Sequence, residues 1–104
     1  MELHPLDRLF SIIRSRRSAS SDKSYTAALL GKGRAECAKK LGEEAIETAL
    51  AAATEDDSAV VRESADLLYH LLVLWAACGV EPDAVYAELR TRETQSGLEE
   101  KAAR

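Results

Sequence analysis

The chain has little of what builds a β-sheet. Isoleucine and valine together number 8 of 104 residues, beside one phenylalanine, one tryptophan and three tyrosines. β-Branched and aromatic side chains fill strands, so a sheet protein is disfavoured. Proline (2) and glycine (5) are also scarce, which limits turns and excludes a collagen-like chain. The two cysteines, Cys37 and Cys78, are too few for a disulfide scaffold and suit a reducing compartment. No apolar run exceeds the 12 residues Leu67 to Cys78, even with Tyr69 and His70 allowed. A bilayer span needs about 20. The start, Met1-Glu2-Leu3-His4-Pro5, does not read as a signal peptide. The expected location is therefore the cytoplasm, with no membrane partner. Nor is there an excess of positive charge: 14 basic residues face 18 acidic ones, for a net charge of −4. A generic nucleic-acid binder would be basic, so no nucleic-acid partner is expected.

What is abundant is the helix former: 18 alanines and 14 leucines. A length of 104 residues suits a single domain over 1–104. The fold expected is all-α, a helical bundle of about four to five helices. Pro5 opens the first, with Leu6, Leu9, Phe10 and Ile13 on one stripe. Ser24 caps a short second helix, Tyr25 to Leu30, which Gly31 and Gly33 break. A third runs from about Arg34 to Thr54, with Ala38, Leu41, Ala45, Ile46, Ala49 and Ala53 as its apolar face. Asp57 or Ser58 caps a fourth, about Ala59 to Cys78, which Gly79 stops. Its Leu67–Trp75 half is apolar nearly all round and should be buried on most sides. Pro82 and Asp83 open a last helix, and the tail from about 95 to 104 should fray. So few helices cannot cover the Leu67–Trp75 segment, and completion by a C2 homodimer is the expected solution.

Two acidic clusters carry the candidate chemistry. Glu44 and Glu47 are three residues apart, as are Glu63 and Asp66, with Glu43 beside the first pair. On a helix, i and i+3 share a side. If the two long helices pack antiparallel about the Glu55–Ser58 turn, the pairs can face each other. One like-charged pair at about 4 Å costs ~4 kcal/mol at an effective dielectric near 20. A hard divalent cation removes that cost, and oxygen-only ligands suit Mg²⁺, with Mn²⁺ as the alternative. Mg²⁺ commonly also binds phosphate, so the substrate expected is phosphorylated. Without the five acids the chain would carry +1, so the candidate site accounts for its acidity. Lys40, four residues before Glu44, can meet a substrate phosphate. Each element also has a plain reading. A Glu pair on a helix is usually solvated, Lys40 and Glu44 can be a surface pair, and His70, Tyr69 and Trp75 can be core. Cys37 and Cys78 read as inert, with no histidine or basic pair expected beside them. A di-iron bundle would need Glu-x-x-His on two helices, and neither His4 nor His70 has a Glu three residues before it.

The pattern Glu-Glu-x-x-Glu followed by Glu-x-x-Asp resembles the metal motif of the all-α nucleoside triphosphate pyrophosphatases. Ser24-Tyr25-Thr26-Ala27, Lys40 to Glu47, and Glu63 to Leu74 narrow the resemblance to the phosphoribosyl-ATP pyrophosphatase family, over about Ser24 to Arg92. The resemblance implies Mg²⁺-dependent hydrolysis of phosphoribosyl-ATP to phosphoribosyl-AMP and pyrophosphate, the second step of histidine biosynthesis, by a helical homodimer with its site near the subunit interface. It implies Glu44, Glu47, Glu63 and Asp66 as metal ligands, Glu43 as an extra ligand or a residue orienting water, and Lys40 as a phosphate contact. Glu43, Glu44 and Glu47 are thus the catalytic candidates. Two alternatives stand beside it: a house-cleaning pyrophosphatase for non-standard nucleotides, and a non-catalytic helical interaction module.

Overall fold

The computed structural model describes residues 3–94. The expected fraying from about residue 95 lies outside them. Among the described residues there are five α-helices and no strand: α1 (Pro5–Ser15), α2 (Tyr25–Gly31), α3 (Arg34–Thr54), α4 (Asp57–Cys78) and α5 (Pro82–Arg92). A single 3₁₀ turn, Arg16–Ser18, follows α1. The all-α expectation holds.

Local chemistry sets the boundaries. The Ser24 hydroxyl accepts from the Ala27 N–H at 3.1 Å and starts α2. Gly33, at φ 95°, turns the chain into α3 through backbone that a side chain would strain. The α4 cap is neither Asp57 nor Ser58, as expected, but Asp56, whose carboxylate accepts from the Ala59 N–H at 3.0 Å. A cap bond of this kind contributes about 1 kcal/mol. Helix α4 ends at Gly79, φ 70°. The Val80 N–H reaches back to the Trp75 carbonyl and the Gly79 N–H to that of Ala76, at 2.9 and 3.2 Å. Together these form a Schellman stop, which satisfies carbonyls the helix leaves open.

Helices α3 and α4 form the backbone of the fold. Thr48 meets Glu63 near their connection and Arg34 meets Cys78 at the far end, so the pair is an antiparallel hairpin. The core sits at that far end, where α1, α2 and α4 converge. It consists of Phe10, Ile13, Leu29, Leu30, Cys37, Leu72, Val73 and Ala76. Arg17 donates to the Ala76 carbonyl at 2.9 Å and ties the 3₁₀ turn to α4. Two side-chain contacts tie α5 to α1: Tyr86 donates to Asp7 at 3.0 Å, and Arg14 pairs with Glu81, just before α5, at 2.6 Å. No single helix among the described residues is long and apolar enough to cross a membrane.

One packing expectation needs correction. The face of α3 turned toward α4 is Cys37, Leu41, Glu44, Thr48 and Ala51, all buried or half-buried. Most of the expected apolar face (Ala38, Ala45, Ile46, Ala49, Ala53) is exposed instead. Alanine-rich helices carry small residues on every side, so residue type alone did not single out the packed one. Leu67–Trp75 is, as expected, only partly covered within one chain. Leu72 and Val73 are buried, but Leu67, Leu71, Leu74 and Trp75 are half-buried and Leu68 is exposed.

Candidate metal centre

The α3–α4 hairpin does bring the two acidic pairs together. Glu44, on the inner face of α3, meets Glu63 and Asp66 of α4. One carboxylate oxygen from each lies within 4.8 Å of the others. Glu44 and Glu63 are half-buried, and Asp66 opens to solvent. Glu47, exposed, stands next to both Glu44 and Glu63 and bears on each of them electrostatically. The four acids thus gather at one place, with Glu47 at its edge.

The electrostatics are unfavourable as they stand. Burial pushes the Glu44 carboxyl above its ordinary value of 4.5, the neighbouring Glu47 raises it further, and Asp66 adds to the effect, while His70 opposes it. Glu63 is raised in the same way, first by desolvation, then by Glu47 and Asp66. Oε2 of Glu44 and Oε2 of Glu63 are both buried without a hydrogen-bond partner. Buried acceptors lacking a donor are rare and costly. Ionised carboxylates only accept hydrogen bonds, so neither acid can satisfy the other. The arrangement of hard, orphaned, converging oxygens fits a hard divalent cation.

Around this cluster the polar groups are satisfied. Nδ1 of His70 lies 2.9 Å from the Asp66 carbonyl, which can only accept, so that nitrogen carries hydrogen. Nε2 faces the Tyr25 hydroxyl at 3.2 Å. His70 is buried, so the plain reading of a satisfied core histidine is correct. Tyr69 packs beside it, edge to face, and bonds Thr26 of α2. Through Tyr25 and Thr26, the short helix α2 is fixed against the acidic turn of α4.

Lys40 and Glu43 form a separate unit. Their ion pair is 3.2 Å long, and the Glu43 carboxylate holds the Lys40 ammonium above its usual value. The pair is partly exposed one turn from Glu44. The geometry therefore gathers Glu44, Glu63 and Asp66, places Glu47 alongside, and leaves Glu43 outside the cluster and turned to Lys40. The cysteines lie elsewhere. Cys37 is buried, and its thiol is pushed up by desolvation. Cys78, contrary to the expectation that no basic group would neighbour it, accepts from Arg34 Nε at 3.0 Å.

One residue of the cluster escaped the sequence reading. The Thr48 hydroxyl lies 2.8 Å from the Glu44 carbonyl and 3.1 Å from the Glu63 carbonyl. A mid-helix threonine four residues after a candidate ligand was the available signal. Such a hydroxyl commonly bonds the i−4 carbonyl, but its second contact, on α4, is visible only in three dimensions.

Comparison with known proteins agrees with this geometry. Residues 6–93 match the model of a family described as phosphoribosyl-ATP pyrophosphohydrolase. A phosphoribosyl-ATP pyrophosphatase of Parvibaculum lavamentivorans is 61% identical over 99 residues, covering 95% of this chain and 91% of that protein. Proteins of the same name from Paramagnetospirillum magneticum and Azospirillum brasilense are 54% and 52% identical, each over 95% of this chain and over 91% and 89% of their own lengths. With a match across nearly all its described helices and relatives this similar along almost their whole length, the chain belongs to the phosphoribosyl-ATP pyrophosphohydrolase family.

Proposed function

We propose that this protein hydrolyses phosphoribosyl-ATP to phosphoribosyl-AMP and pyrophosphate, the second step of histidine biosynthesis, with Mg²⁺ held by Glu44, Glu47, Glu63 and Asp66. The observation that carries the reading is the convergence of three carboxylates within 4.8 Å, two of them with orphaned buried oxygens, in a chain of this family. Mn²⁺ suits the same donors. When bound, the cation supplies Lewis acidity toward the phosphoryl oxygens and balances the charge of the departing pyrophosphate.

The chain's own residues then have distinct tasks. Glu44 and Glu63, half-buried on facing helices, fix the centre. Asp66 and Glu47, more exposed, line the side from which substrate enters. A carboxylate of the centre accepts the proton of the attacking water. Lys40, a three-donor ammonium, presents hydrogens beyond its Glu43 pair to a substrate phosphate. Glu43 meanwhile keeps Lys40 oriented beside the centre. Water attacks directly, without a covalent intermediate on the protein.

The functional unit in this reading is a homodimer. Ile46 and Leu50 of α3 and Val61 and Leu68 of α4 are all exposed in the single chain, from 41% to 68%. Each helix thus keeps exposed apolar side chains that a second copy can cover. Sedimentation at micromolar concentration should give a dimer, and a monomer there would remove this part of the reading.

The decisive experiment measures pyrophosphate release from phosphoribosyl-ATP and from a panel of free nucleoside triphosphates, with Mg²⁺ and after chelation. Phosphoribosyl-ATP should be strongly preferred, and activity should vanish with chelator and return with Mg²⁺. Preference for the panel would favour a house-cleaning enzyme. No turnover of either would leave only a helical module.

A further inference from the structure

We propose that Thr48 is a positioning residue that sets the separation of Glu44 and Glu63, and so the affinity of the centre for its cation. The inference rests on the cation reading given above, and deepens it. Its basis is the double contact of one hydroxyl: Oγ1 lies 2.8 Å from the carbonyl of Glu44 and 3.1 Å from that of Glu63. These are the backbone groups of the two residues whose side chains carry the orphaned buried oxygens. One O–H shared between two carbonyls is a three-centre bond, and each carbonyl has a lone pair left after its own helical N–H.

The contact acts beside the converging carboxylates. Ionised Glu44 and Glu63 repel across the hairpin, and like charges in a partly desolvated site push backbones as well as side chains apart. Removing Thr48 takes away no charge and no ligand. It takes away the bond that holds the two ligand-bearing turns at hydrogen-bond distance. Valine has the shape of threonine but sets a methyl against both carbonyls. A carbon–oxygen contact settles at about 3.3–3.6 Å, so the two turns must separate by a few tenths of an ångström or more. A centre whose ligands sit that far from the best geometry binds its cation more weakly, because small oxygen-liganded cations such as Mg²⁺ and Mn²⁺ tolerate little slack.

The test is Mn²⁺ binding to the full-length, metal-stripped protein without substrate, followed by the electron paramagnetic resonance signal of free Mn²⁺. Wild type, Thr48→Val and Thr48→Ser are compared, with thermal unfolding in chelator recorded for each. Thr48→Val should weaken binding by ~10-fold, in the range known for outer-shell partners of metal ligands, and Thr48→Ser should bind like wild type because it keeps the hydroxyl. If Thr48→Val does not fold, Thr48→Ala against Thr48→Ser makes the same comparison. A Thr48→Val protein that melts lower but binds Mn²⁺ as wild type does would reduce Thr48 to helix packing and overturn the inference alone. Wild-type protein that binds no Mn²⁺ would overturn the cation reading together with it.

Discussion

The two ends of the α3–α4 hairpin are built on opposite principles. At the far end, Leu72 and Val73 are fully buried among Phe10, Ile13, Leu29 and Leu30, and the polar groups nearby have partners. Near the turn, the same two helices face each other through Glu44, Thr48 and Glu63, and two buried oxygens have none. One end gains free energy from apolar burial; at the other, desolvation and neighbouring carboxylates raise the pKa of Glu44 and Glu63. In the proposed reading stability and chemistry are divided along a single pair of helices, and substitutions at the two ends should separate them.

The largest expected effect is at the acidic end. Glu44→Gln combined with Asp66→Asn removes two charges but little volume. Mn²⁺ affinity and phosphoribosyl-ATP turnover should each fall by ~100-fold or more, since even outer-shell partners of a metal site cost about 10–100-fold. Helical content by circular dichroism should stay intact, and the metal-free protein should unfold at a higher urea concentration than wild type. Turnover close to that of wild type would mean that the carboxylates are ordinary surface groups. The opposite pattern is expected at the other end. Leu72→Ala, at a side chain 1% exposed, should cost about 2–5 kcal/mol of stability. While the protein remains folded, Mn²⁺ affinity should hardly change. If Leu72→Ala weakened metal binding as much as it weakened the fold, the division between the two ends would be false.

How far the sequence showed this division depends on the residue. Helix existence and order were legible because Ala and Leu dominate and the punctuating residues are few: Ser24, Gly33, Gly79 and Pro82 each stand at a boundary. The acidic centre was legible because i, i+3 spacing and the near-equal lengths of α3 and α4 about a short turn leave little freedom in register. The packed face of α3 was not. Glu44 and Thr48 point inward and Ile46 and Leu50 outward, the reverse of what hydrophobicity suggests; in the proposed reading the acids converge on a cation and the apolar side chains meet a second copy. The cap shifted from Asp57 or Ser58 to Asp56 for a smaller reason: three adjacent residues can all cap a helix, and only backbone geometry chooses among them.

The smallest expected effect is a pH dependence at the acidic end. Desolvation, with the neighbouring acids, holds Glu44 and Glu63 above the ordinary value of 4.5 in the folded protein. Between that value and the raised ones the folded state therefore binds more protons than the unfolded chain. Stability must then fall as pH rises through this window, and rise as pH falls from neutral toward 4.5. Other groups titrate as well, so the quantity to measure is the difference between wild type and Glu44→Gln in chelator, from urea midpoints across that range. Wild type should gain on the variant as acid is added, because its Glu44 is progressively neutralised while the glutamine amide in the variant carries no charge at any pH. In saturating Mg²⁺ the sign should reverse: the cation needs ionised ligands, so acid displaces it and removes the stability that binding contributes. A wild-type protein that loses ground to Glu44→Gln on acidification in chelator would show that Glu44 is stabilised as a carboxylate in the folded chain. The repulsion assigned to this end of the hairpin would then be absent.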